Sequence, residues 1–458
     1  MTSVAASIFL PYDIRGIVGA GLDEAAARQI GQAIGTEARQ RGLITIASGR
    51  DARASSAGLQ QALNDGLAAS GLQVLSVGEV STPQLYHAAY TRCAGSGVMV
   101  TGSHNPPQYN GIKVMLGEEA LHGEAISALR QRIVDNEMGV GAGSVEQLEL
   151  RQAYLDEMAA AVELQRPLKV VLDCGNGMAA QTAPELLRRI GCEVVELYCE
   201  VDGRFPNHHP DPNRPENLRE LQQAVRGESA DLGIAFDGDG DRLGVISPQG
   251  EIIWPDRLLM LFARDLLGRH PGAEVIYDIK CSRHLGSVIE QAGGSASMWR
   301  TGHSMLKARM RERGALLAGE MSGHLLLKEG WYGFDDALFA AARLLQILSR
   351  QDDIASLFDA LPNALSTPEL HLTMLPGEHY RLMEQLLARD DFFADASLTT
   401  LDGLRVEYAD GWGLVRASNT TPTLVLRFEA DNQVALQRIE ERFRSLLLEL
   451  EPTLELPF

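Results

Sequence analysis

The chain has 458 residues, 45% of them hydrophobic and 22% charged, a balance typical of a folded globular protein. This length exceeds what one hydrophobic core supports, so we expect several domains. The formal net charge of −20 disfavours nucleic acid or an anionic membrane surface as a partner, whereas an anionic small substrate stays compatible with a locally basic cleft. No apolar run approaches the ~20 residues of a membrane-spanning helix and no secretory signal pattern is present, so we expect a cytoplasmic protein.

The five cysteines are Cys93, Cys174, Cys192, Cys199 and Cys281. They are scattered and form no Cys-x-x-Cys pair, so neither a zinc knuckle nor a thioredoxin-like motif is supported. We expect free, mostly buried thiols in a reducing compartment.

The chain begins with the short extended piece Tyr12-Asp-Ile-Arg-Gly16. A helix is predicted from the capping residue Asp23 to about Gly42, because an acidic cap opens an amphipathic run and a glycine closes it. Strands then follow at residues 43–47, through Val74 and Val77, at 98–100 and at 112–116.

The strand at 98–100 ends in the turn Thr101-Gly-Ser-His-Asn-Pro106. An unbroken apolar run is typical of a strand covered on both faces. Gly102 permits a sharp turn and the prolines prevent a helix from starting at once. Ser103 and His104 therefore lie at the carboxyl end of a strand, where open α/β sheets bind their ligands. The same residues also fit a tight turn whose hydroxyl only satisfies backbone groups.

The order of strands and helices recurs twice along the chain. Further strands are predicted at residues 169–173, 194–197, 232–236 and 243–246, then at 274–280, before Arg300 and at 316–318. In these copies the third strand ends in the turns Asp237-Gly-Asp-Gly-Asp-Arg242 and Gly319-Glu-Met-Ser-Gly-His324. Strands that alternate with helices predict α/β domains with largely parallel sheets and helices on both faces. We expect three such domains to bring their polar turns to one cleft.

The remainder of the chain differs and is predicted to form a smaller α+β domain that contains Arg416-Ala-Ser-Asn-Thr-Thr421. The segment 202–215 is rich in proline and asparagine, which indicates a surface excursion that reaches toward the cleft. The predicted domains are 1–149, 150–251, 252–364 and 365–458.

Asp237, Asp239 and Asp241 alternate with glycines within one turn. Three adjacent carboxylates raise one another's pKa unless a cation lies among them, and oxygen ligands favour Mg²⁺, Ca²⁺ or Mn²⁺ over zinc. An EF-hand is excluded because its twelfth position requires glutamate and is Pro248 here. The alternative is a solvated acidic turn.

Three other groups of polar residues have both a functional and a structural interpretation. A turn with a guanidinium, hydroxyls and an amide either wraps a phosphate or hydrogen-bonds itself; it contains Arg416, Ser418, Asn419 and Thr420. Glu320, Ser322 and His324 hold sugar hydroxyls or form a capped turn. Four further residues could supply positive charge or proton transfer near the turns, although each taken singly is more often a surface residue. They are Lys113, Arg242, Lys280 and His303.

Taken together, the four turns resemble those of the α-D-phosphohexomutase superfamily in order and spacing, and the resemblance covers essentially the whole chain. Glu-Met-Ser-Gly-His, with Tyr12 and Arg15, is most similar to the bacterial bifunctional phosphomannomutase/phosphoglucomutase branch. The resemblance implies a heart-shaped arrangement of three mixed-sheet α/β domains and a smaller α+β domain around a central cleft.

The resemblance also implies roles for individual residues. Ser103 is the expected phosphoserine, and it binds one Mg²⁺ together with Asp237, Asp239 and Asp241. The expected catalytic residues are Ser103, His104, Lys113, Arg242, His303 and Arg15. The expected substrate-binding residues are Tyr12, Lys280, Glu320, Ser322, His324, Arg416, Ser418, Asn419 and Thr420.

The activity implied by this resemblance is reversible phosphoryl transfer between C1 and C6 of mannose or glucose phosphate, through phosphoserine and a 1,6-bisphosphosugar, with glucose 1,6-bisphosphate as activator. The family usually supplies nucleotide-sugar and exopolysaccharide synthesis, and a monomer is expected. Alternatives are a phosphoglucosamine mutase, more distantly a serine- and metal-dependent phosphatase, and, in another class, a non-catalytic phosphosugar-binding protein.

Overall fold

The structure is a computed structural model that describes residues 4–375, 377–418 and 421–458, and this part of the chain contains four β-sheets. Three of the sheets contain the same unit of four strands. The first strand of each unit has a parallel neighbour on both sides, and the fourth strand pairs antiparallel with one of those neighbours. The threefold repeat predicted from the sequence is therefore confirmed. Across these described residues, no helix combines the length and apolarity needed to cross a membrane.

The first sheet has seven strands, with α-helices packed beside it. Its strands are β1 (Ile14–Ile17), β2 (Thr45–Arg50), β3 (Gln73–Glu79), β4 (Gly97–Val100), β5 (Tyr109–Leu116), β6 (Glu119–Ala120) and β7 (Ser144–Gln147). The helices are α1 (Glu24–Gln40), α2 (Ser56–Ala69), α3 (Thr82–Arg92) and α4 (Glu124–Val134), and a 3₁₀ turn covers Ala6–Ile8. Asp23 caps α1 as predicted, because its side chain accepts a hydrogen bond from the Ala26 amide at 2.8 Å.

The strand predicted at 43–47 starts later and continues further, since β2 spans Thr45–Arg50. Gly49 and Arg50 still pair with β4, so Arg50 belongs to the strand although it lies three residues beyond the predicted end. The run that guided the prediction ends at Ala47, whereas the backbone pairing with β4 persists through Arg50.

The second sheet has the order β12-β11-β10-β8-β9. Its strands are β8 (Lys169–Asp173), β9 (Glu193–Leu197), β10 (Leu232–Phe236), β11 (Leu243–Ile246) and β12 (Ile252–Ile253). The helices of this part are α5 (Arg151–Ala161), α6 (Ala183–Arg189) and α7 (Arg219–Glu228), with 3₁₀ turns at Met178–Gln181 and Pro215–Leu218. β12 pairs with β11, so Ile252 and Ile253 belong to this sheet.

The third sheet has the order β14-β13-β15-β16. Its strands are β13 (Glu274–Asp278), β14 (Ser295–Trp299), β15 (Leu317–Gly319) and β16 (Leu325–Leu327). The helices are α8 (Pro255–Arg269), α9 (Arg283–Gln291), α10 (His303–Arg313), α11 (Ala337–Leu348) and α12 (Ile354–Asp359). A continuous apolar core joins the first three sheets, and Tyr86, Phe236 and Phe334 are among its buried rings.

The fourth sheet has six strands, whose pairings are all antiparallel, and its own apolar core. The strands are β17 (Leu365–Ser366), β18 (Leu370–Thr373), β19 (Ser397–Thr399), β20 (Leu404–Tyr408), β21 (Gly411–Ala417) and β22 (Thr423–Ala430). The helices are α13 (Glu378–Leu387) and α14 (Gln433–Leu450), with a 3₁₀ turn at Asp390–Phe393. The predicted smaller α+β domain is confirmed.

The excursion predicted at 202–215 reaches the cleft between the domains. The Asn213 side-chain amide donates to the Ser322 carbonyl at 2.7 Å, which joins the second domain to the turn of the third. Phe205 lies under the Arg53 guanidinium of the first domain, 5.1 Å from ring centroid to Cζ. The excursion therefore connects three domains around the site.

Candidate active site

The turns after β4 and β10 meet through direct contacts between side chains. The Ser103 hydroxyl donates to Asp237 Oδ2 at 3.1 Å. Lys113, on β5, donates through Nζ to Asp239 Oδ2 at 2.8 Å and to Asp241 Oδ2 at 2.5 Å. All five side chains are buried, and Ser103 is only 3% exposed. The first two domains thus enclose a hydroxyl, an ammonium group and three carboxylates in one small volume.

Ser103 adopts a left-handed backbone conformation, with φ of 49°, that few residues other than glycine favour. Its amide donates to Thr101 Oγ1 at 2.8 Å, and Asp51 Oδ2 accepts hydrogen bonds from the Thr101 hydroxyl and the Gly102 amide. Backbone strain of this kind persists only where surrounding contacts impose it. Here the contacts come from Asp51 and Thr101, and they do not involve the Ser103 hydroxyl.

The buried guanidinium of Arg53 forms hydrogen bonds with the backbone of the Ser103 turn. Its nitrogens donate to the backbone carbonyls of Ser103 at 2.7 Å, Asn105 at 2.6 Å and Pro106 at 2.6 Å, and to Asp51 at 3.0 Å. Because the planar guanidinium donates to several acceptors at fixed angles, it holds the turn in one shape.

We expect Arg53→Met to destabilise the protein by about 3–5 kcal/mol, because it leaves the buried Asp51 carboxylate without its cationic partner and removes the donor to several backbone carbonyls. Arg50→Met is the matched control: Arg50 forms a partly exposed ion pair with Glu79, and its loss should cost about 0–1 kcal/mol. Denaturant unfolding measures both changes in the free energy of unfolding. Equal losses for the two variants would contradict the bracing role of Arg53.

The carboxylate oxygens of the acidic turn differ in how many hydrogen bonds they accept. Asp237 Oδ1 accepts hydrogen bonds from the amides of Gly240, Asp241 and Arg242 at 3.0–3.1 Å. Asp239 Oδ2 accepts from Lys113 and from the Thr82 hydroxyl at 2.6 Å, whereas Asp239 Oδ1 is buried and accepts no hydrogen bond from any residue that the structure describes.

The three aspartates fit a hard divalent cation. Each offers an oxygen, and these oxygens lie within 4.8 Å of one another. Burial and the two neighbouring carboxylates raise the pKa of Asp237 well above its ordinary value. A buried oxygen without a donor and mutual repulsion among carboxylates are the conditions that a cation relieves.

Opposite charge holds Asp241 and Lys113 ionised. Burial raises the pKa of Asp241, but Lys113 and His324 outweigh it and hold the pKa well below its usual range. Burial likewise lowers the pKa of Lys113, yet Asp239 and Asp241 raise it well above its ordinary value. Lys113 is therefore a cation fixed at the junction of the two turns.

The turn after β15 adds a carboxylate, a hydroxyl and an imidazole. Ser322 Oγ lies 2.8 Å from His324 Nδ1 and donates to Glu320 Oε2 at 3.2 Å. His324 Nε2 lies 3.3 Å from Asp241 Oδ1, which links this turn to the acidic one. Burial lowers the pKa of His324, but Asp241 and Glu320 outweigh it and raise the pKa to about 9.

His303 begins α10 and stacks on His324, with ring centroids 5.0 Å apart. Its Nδ1 lies 2.6 Å from Asp335 Oδ2, and Lys307 Nζ lies 2.5 Å from the other oxygen of that carboxylate. Burial lowers the pKa of His303 although Asp335 acts in the opposite direction. The two stacked imidazoles therefore have pKa values on opposite sides of neutrality.

The remaining predicted cations and His104 surround the Ser103 turn. Arg242 Nε lies 4.0 Å from Asp237, and Arg15 donates to the Gly102 carbonyl at 3.5 Å. His104 Nδ1 lies 3.2 Å from Ser103 Oγ. Burial, together with Arg242 and Arg15, holds the pKa of His104 well below its usual range, so its imidazole is neutral.

The fourth domain approaches the cleft through Arg416 and Asp402. Arg416 Nε donates to Asp402 Oδ2 at 3.1 Å, and the same oxygen accepts the amide of Thr301 in the third domain at 3.1 Å. Ser418 follows β21, with its amide bonded to the Thr423 carbonyl at 2.8 Å. Asn419 and Thr420, which were predicted in the same site, lie outside the described residues.

Tyr12 and Lys280 each form a hydrogen bond with a residue of another domain. The Tyr12 hydroxyl donates to the Thr301 carbonyl at 3.0 Å, so the first domain contacts the third here. Lys280 Nζ donates to Glu369 Oε1 at 2.5 Å and lies 4.0 Å from Asp278. Tyr12 and, through Asp402, Arg416 thus meet at Thr301.

Sequence reasoning did not single out several residues that hold the site together. They are Asp51, Arg53, Thr82, Asp335, Glu369 and Asp402. Each acts on a partner in another turn or domain; the Thr82 hydroxyl, for example, binds a carboxylate 157 positions away. The one available signal was the position of Asp51 directly after a strand, in a polar loop.

Family models match the chain in four consecutive segments. Three describe the phosphoglucomutase/phosphomannomutase alpha/beta/alpha domains I, II and III, at residues 6–138, 152–250 and 254–365. The fourth describes the C-terminal domain of the same family, at residues 379–446. The chain belongs to the phosphoglucomutase/phosphomannomutase family. The resemblance found in the four turns is thereby confirmed.

Relatives in this family match the chain over nearly its whole length. A phosphomannomutase/phosphoglucomutase of Pseudomonas aeruginosa is 52% identical over 457 residues, which cover 100% of this chain and 98% of that protein. A phosphoglucomutase of Neisseria gonorrhoeae is 51% identical over 98% of each chain. A crystal structure of a phosphoglucomutase/phosphomannomutase family protein from Burkholderia thailandensis is 49% identical, with a TM-score of 0.95 over 99% of this chain and 100% of the other.

Proposed function

We propose that the protein reversibly converts mannose 6-phosphate to mannose 1-phosphate and glucose 6-phosphate to glucose 1-phosphate. The observation that carries this proposal is the Ser103 hydroxyl, which donates to Asp237 within the buried acidic triad. A hydroxyl held among fixed cations and metal-binding carboxylates suits the acceptance and return of a phosphoryl group. The names of the P. aeruginosa and N. gonorrhoeae relatives support mannose and glucose phosphates as the substrates.

In this proposal Ser103 carries the phosphoryl group and the cleft supplies its surroundings. Asp237, Asp239 and Asp241 would hold Mg²⁺, which when bound offsets negative charge on the transferred phosphoryl oxygens. Lys113 and Arg242 add positive charge from the protein itself. Ser103 is only 3% exposed, and a phosphoserine at a buried position would be shielded from water, which supports a mutase over a phosphatase.

The third turn would orient the sugar and move its protons. Glu320 and Ser322 are joined by a hydrogen bond of 3.2 Å that vicinal sugar hydroxyls can replace. His303, whose lowered pKa leaves it neutral near pH 7, is in the protonation state that a base requires. Its hydrogen bond to Asp335 fixes the ring. We therefore assign proton transfer to His303 and sugar orientation to Glu320 and Ser322, with His324 beside them.

Parallel assays with mannose 1-phosphate, glucose 1-phosphate and glucosamine 1-phosphate test the assignment. Comparable turnover of the first two supports the bifunctional mutase, whereas a strong preference for glucosamine 1-phosphate would replace it with a phosphoglucosamine mutase. A non-catalytic phosphosugar-binding protein would turn over none and carry no phosphate on Ser103. Intact-mass measurement of freshly purified protein detects that phosphate as about 80 Da.

Arg416 in the fourth domain should bind the phosphate that is not reacting, whichever end of the sugar carries it. Arg416→Lys should raise KM for the 1-phosphate and the 6-phosphate alike, because an ammonium group does not reproduce a bidentate guanidinium contact, and Arg416→Ala should do so more strongly. Initial-rate kinetics in both directions measure the two KM values. Arg438→Lys is the control, since Arg438 forms an exposed pair with Asp410 in the same domain.

An increase in KM for only one regioisomer would show that the two phosphates use separate sites. Unchanged values for both would make the Arg416–Asp402 pair purely structural. Monomeric state, cytoplasmic location and activation by glucose 1,6-bisphosphate stay predictions within this proposal, as do the site roles of Tyr12, Lys280, Ser418, Asn419 and Thr420.

A further inference from the structure

Two cysteines of the second domain lie side by side at the carboxyl end of its sheet. Cys174 follows β8 directly and is buried, whereas Cys199 lies two residues beyond β9 and is partly exposed. Their Sγ atoms are 3.4 Å apart. The mutase chemistry proposed above uses neither thiol.

The backbone around both cysteines is already tied together. The Cys174 amide donates to the Leu197 carbonyl at 3.2 Å, and the Asn176 amide donates to the Tyr198 carbonyl at 2.9 Å. A disulfide requires an S–S distance of about 2.05 Å, so the sulfurs must approach by about 1.4 Å. Each cysteine lies in a turn beyond its strand, so this approach requires no break in the pairing of β8 with β9.

We propose that Cys174 and Cys199 form a redox-active thiol pair that a hydroperoxide converts to a disulfide, and that this disulfide slows turnover at the adjoining acidic turn. The disulfide does not depend on the proposed function, whereas its effect on turnover rests on it.

The oxidation proceeds in two balanced steps. The sulfur of Cys199, the more exposed thiol, attacks one oxygen of the hydroperoxide; the O–O bond breaks, giving a sulfenic acid and water or an alcohol. The sulfur of Cys174 then attacks the Cys199 sulfur, the S–O bond breaks, and the departing hydroxide leaves as water with the thiol proton. The two thiols lose two electrons in total, and the hydroperoxide gains them.

The turn that contains Cys174 is in direct backbone contact with the acidic turn. The Gly177 amide donates to the Cys174 carbonyl at 2.7 Å, and the Met178 amide donates to the Gly238 carbonyl at 2.9 Å. A Cβ on Gly177 would lie only 2.8 Å from the Gly238 carbonyl oxygen and 3.0 Å from that of Asp237, so the two backbones are in contact without a side chain between them. A displacement of Cys174 toward Cys199 therefore shifts the backbone that positions Asp237.

Peptide mapping after oxidation tests the disulfide. Trypsin leaves Cys192 and Cys199 together on peptide 190–204, so the experiment uses full-length Cys192→Ser, in which that peptide retains one thiol. The protein is treated with hydrogen peroxide, its free thiols are blocked with N-ethylmaleimide, and it is digested. We expect peptide 170–188 linked to peptide 190–204, at about 2 Da below the sum of the two reduced peptides.

Activity measured on the same samples tests the switch. We expect turnover to fall at least tenfold on oxidation and to recover with dithiothreitol, while Cys192→Ser/Cys199→Ser keeps its turnover under the same treatment. Absence of the linked peptide overturns the thiol pair. A linked peptide with unchanged turnover overturns the switch, and so does an equal loss in the variant without Cys199. If no sample shows mutase activity, the proposed function fails, while peptide mapping still decides the thiol pair.

Discussion

Ser103→Ala should lower turnover by several orders of magnitude for both mannose and glucose phosphates. The substitution removes the nucleophile and the carrier of the phosphoryl group together, and among the residues that the structure describes no other hydroxyl contacts Asp237. The assay couples product formation in each direction to a detectable reaction, and intact mass confirms that the added phosphate is absent from the variant. Residual turnover through water or bound bisphosphosugar is compatible with the prediction. Activity within tenfold of the parent would contradict it.

The Ser103→Ala variant should fold normally, which keeps the experiment informative. The turn is fixed by the Ser103 amide and carbonyl, which bind Thr101 and Arg53, and alanine preserves both groups. Ser322→Ala offers a comparison at the opposite side of the cleft, where a hydroxyl contacts Glu320 and His324 but carries no phosphoryl group. Its loss of turnover should be far smaller than that of Ser103→Ala.

Strands with unbroken apolar runs were predicted most accurately. Residues 169–173, 232–236 and 243–246 coincide with β8, β10 and β11, because a charged or polar residue bounds the apolar run on each side. The strand at 43–47 was placed less well, since β2 continues through Ser48 and Gly49. Backbone pairing with two neighbours holds those residues in the sheet, and local hydrophobicity carries no information about that pairing.

The sequence located the polar turns but not the contacts between them. A turn that follows the third strand of each repeat is visible as a local pattern, so Ser103, Asp237 and Glu320 could be identified. The ion pair between Lys113 and Asp239 joins residues 126 positions apart in two domains. Asp402 is a comparable case, because its contact with Thr301 depends on how the fourth domain sits against the third. Such contacts follow from domain packing, which no short motif encodes.

Asp239→Asn should raise the Mg²⁺ concentration that gives half-maximal turnover at least about a hundredfold. This magnitude follows the loss of metal affinity seen in other proteins when partners of the metal ligands are removed. Asparagine has nearly the shape of aspartate, and its oxygen can keep the hydrogen bonds from Thr82 and Lys113. Its NH₂ group then replaces Oδ1, the buried oxygen that accepts no hydrogen bond from any described residue. A hydrogen-bond donor therefore occupies the position at which the cation needs an oxygen ligand.

The measurement is a Mg²⁺ titration of turnover, with direct binding by isothermal titration calorimetry as the second readout. Asp256→Asn is the matched control, because Asp256 is also buried and accepts the Ser282 amide at 2.9 Å, but belongs to the third domain and not to the acidic turn. That variant should keep the metal affinity of the parent, even if its stability falls. An unchanged titration for Asp239→Asn would remove Asp239 from the metal site. Equal weakening in both variants would attribute the effect to lost buried charge and not to a lost ligand.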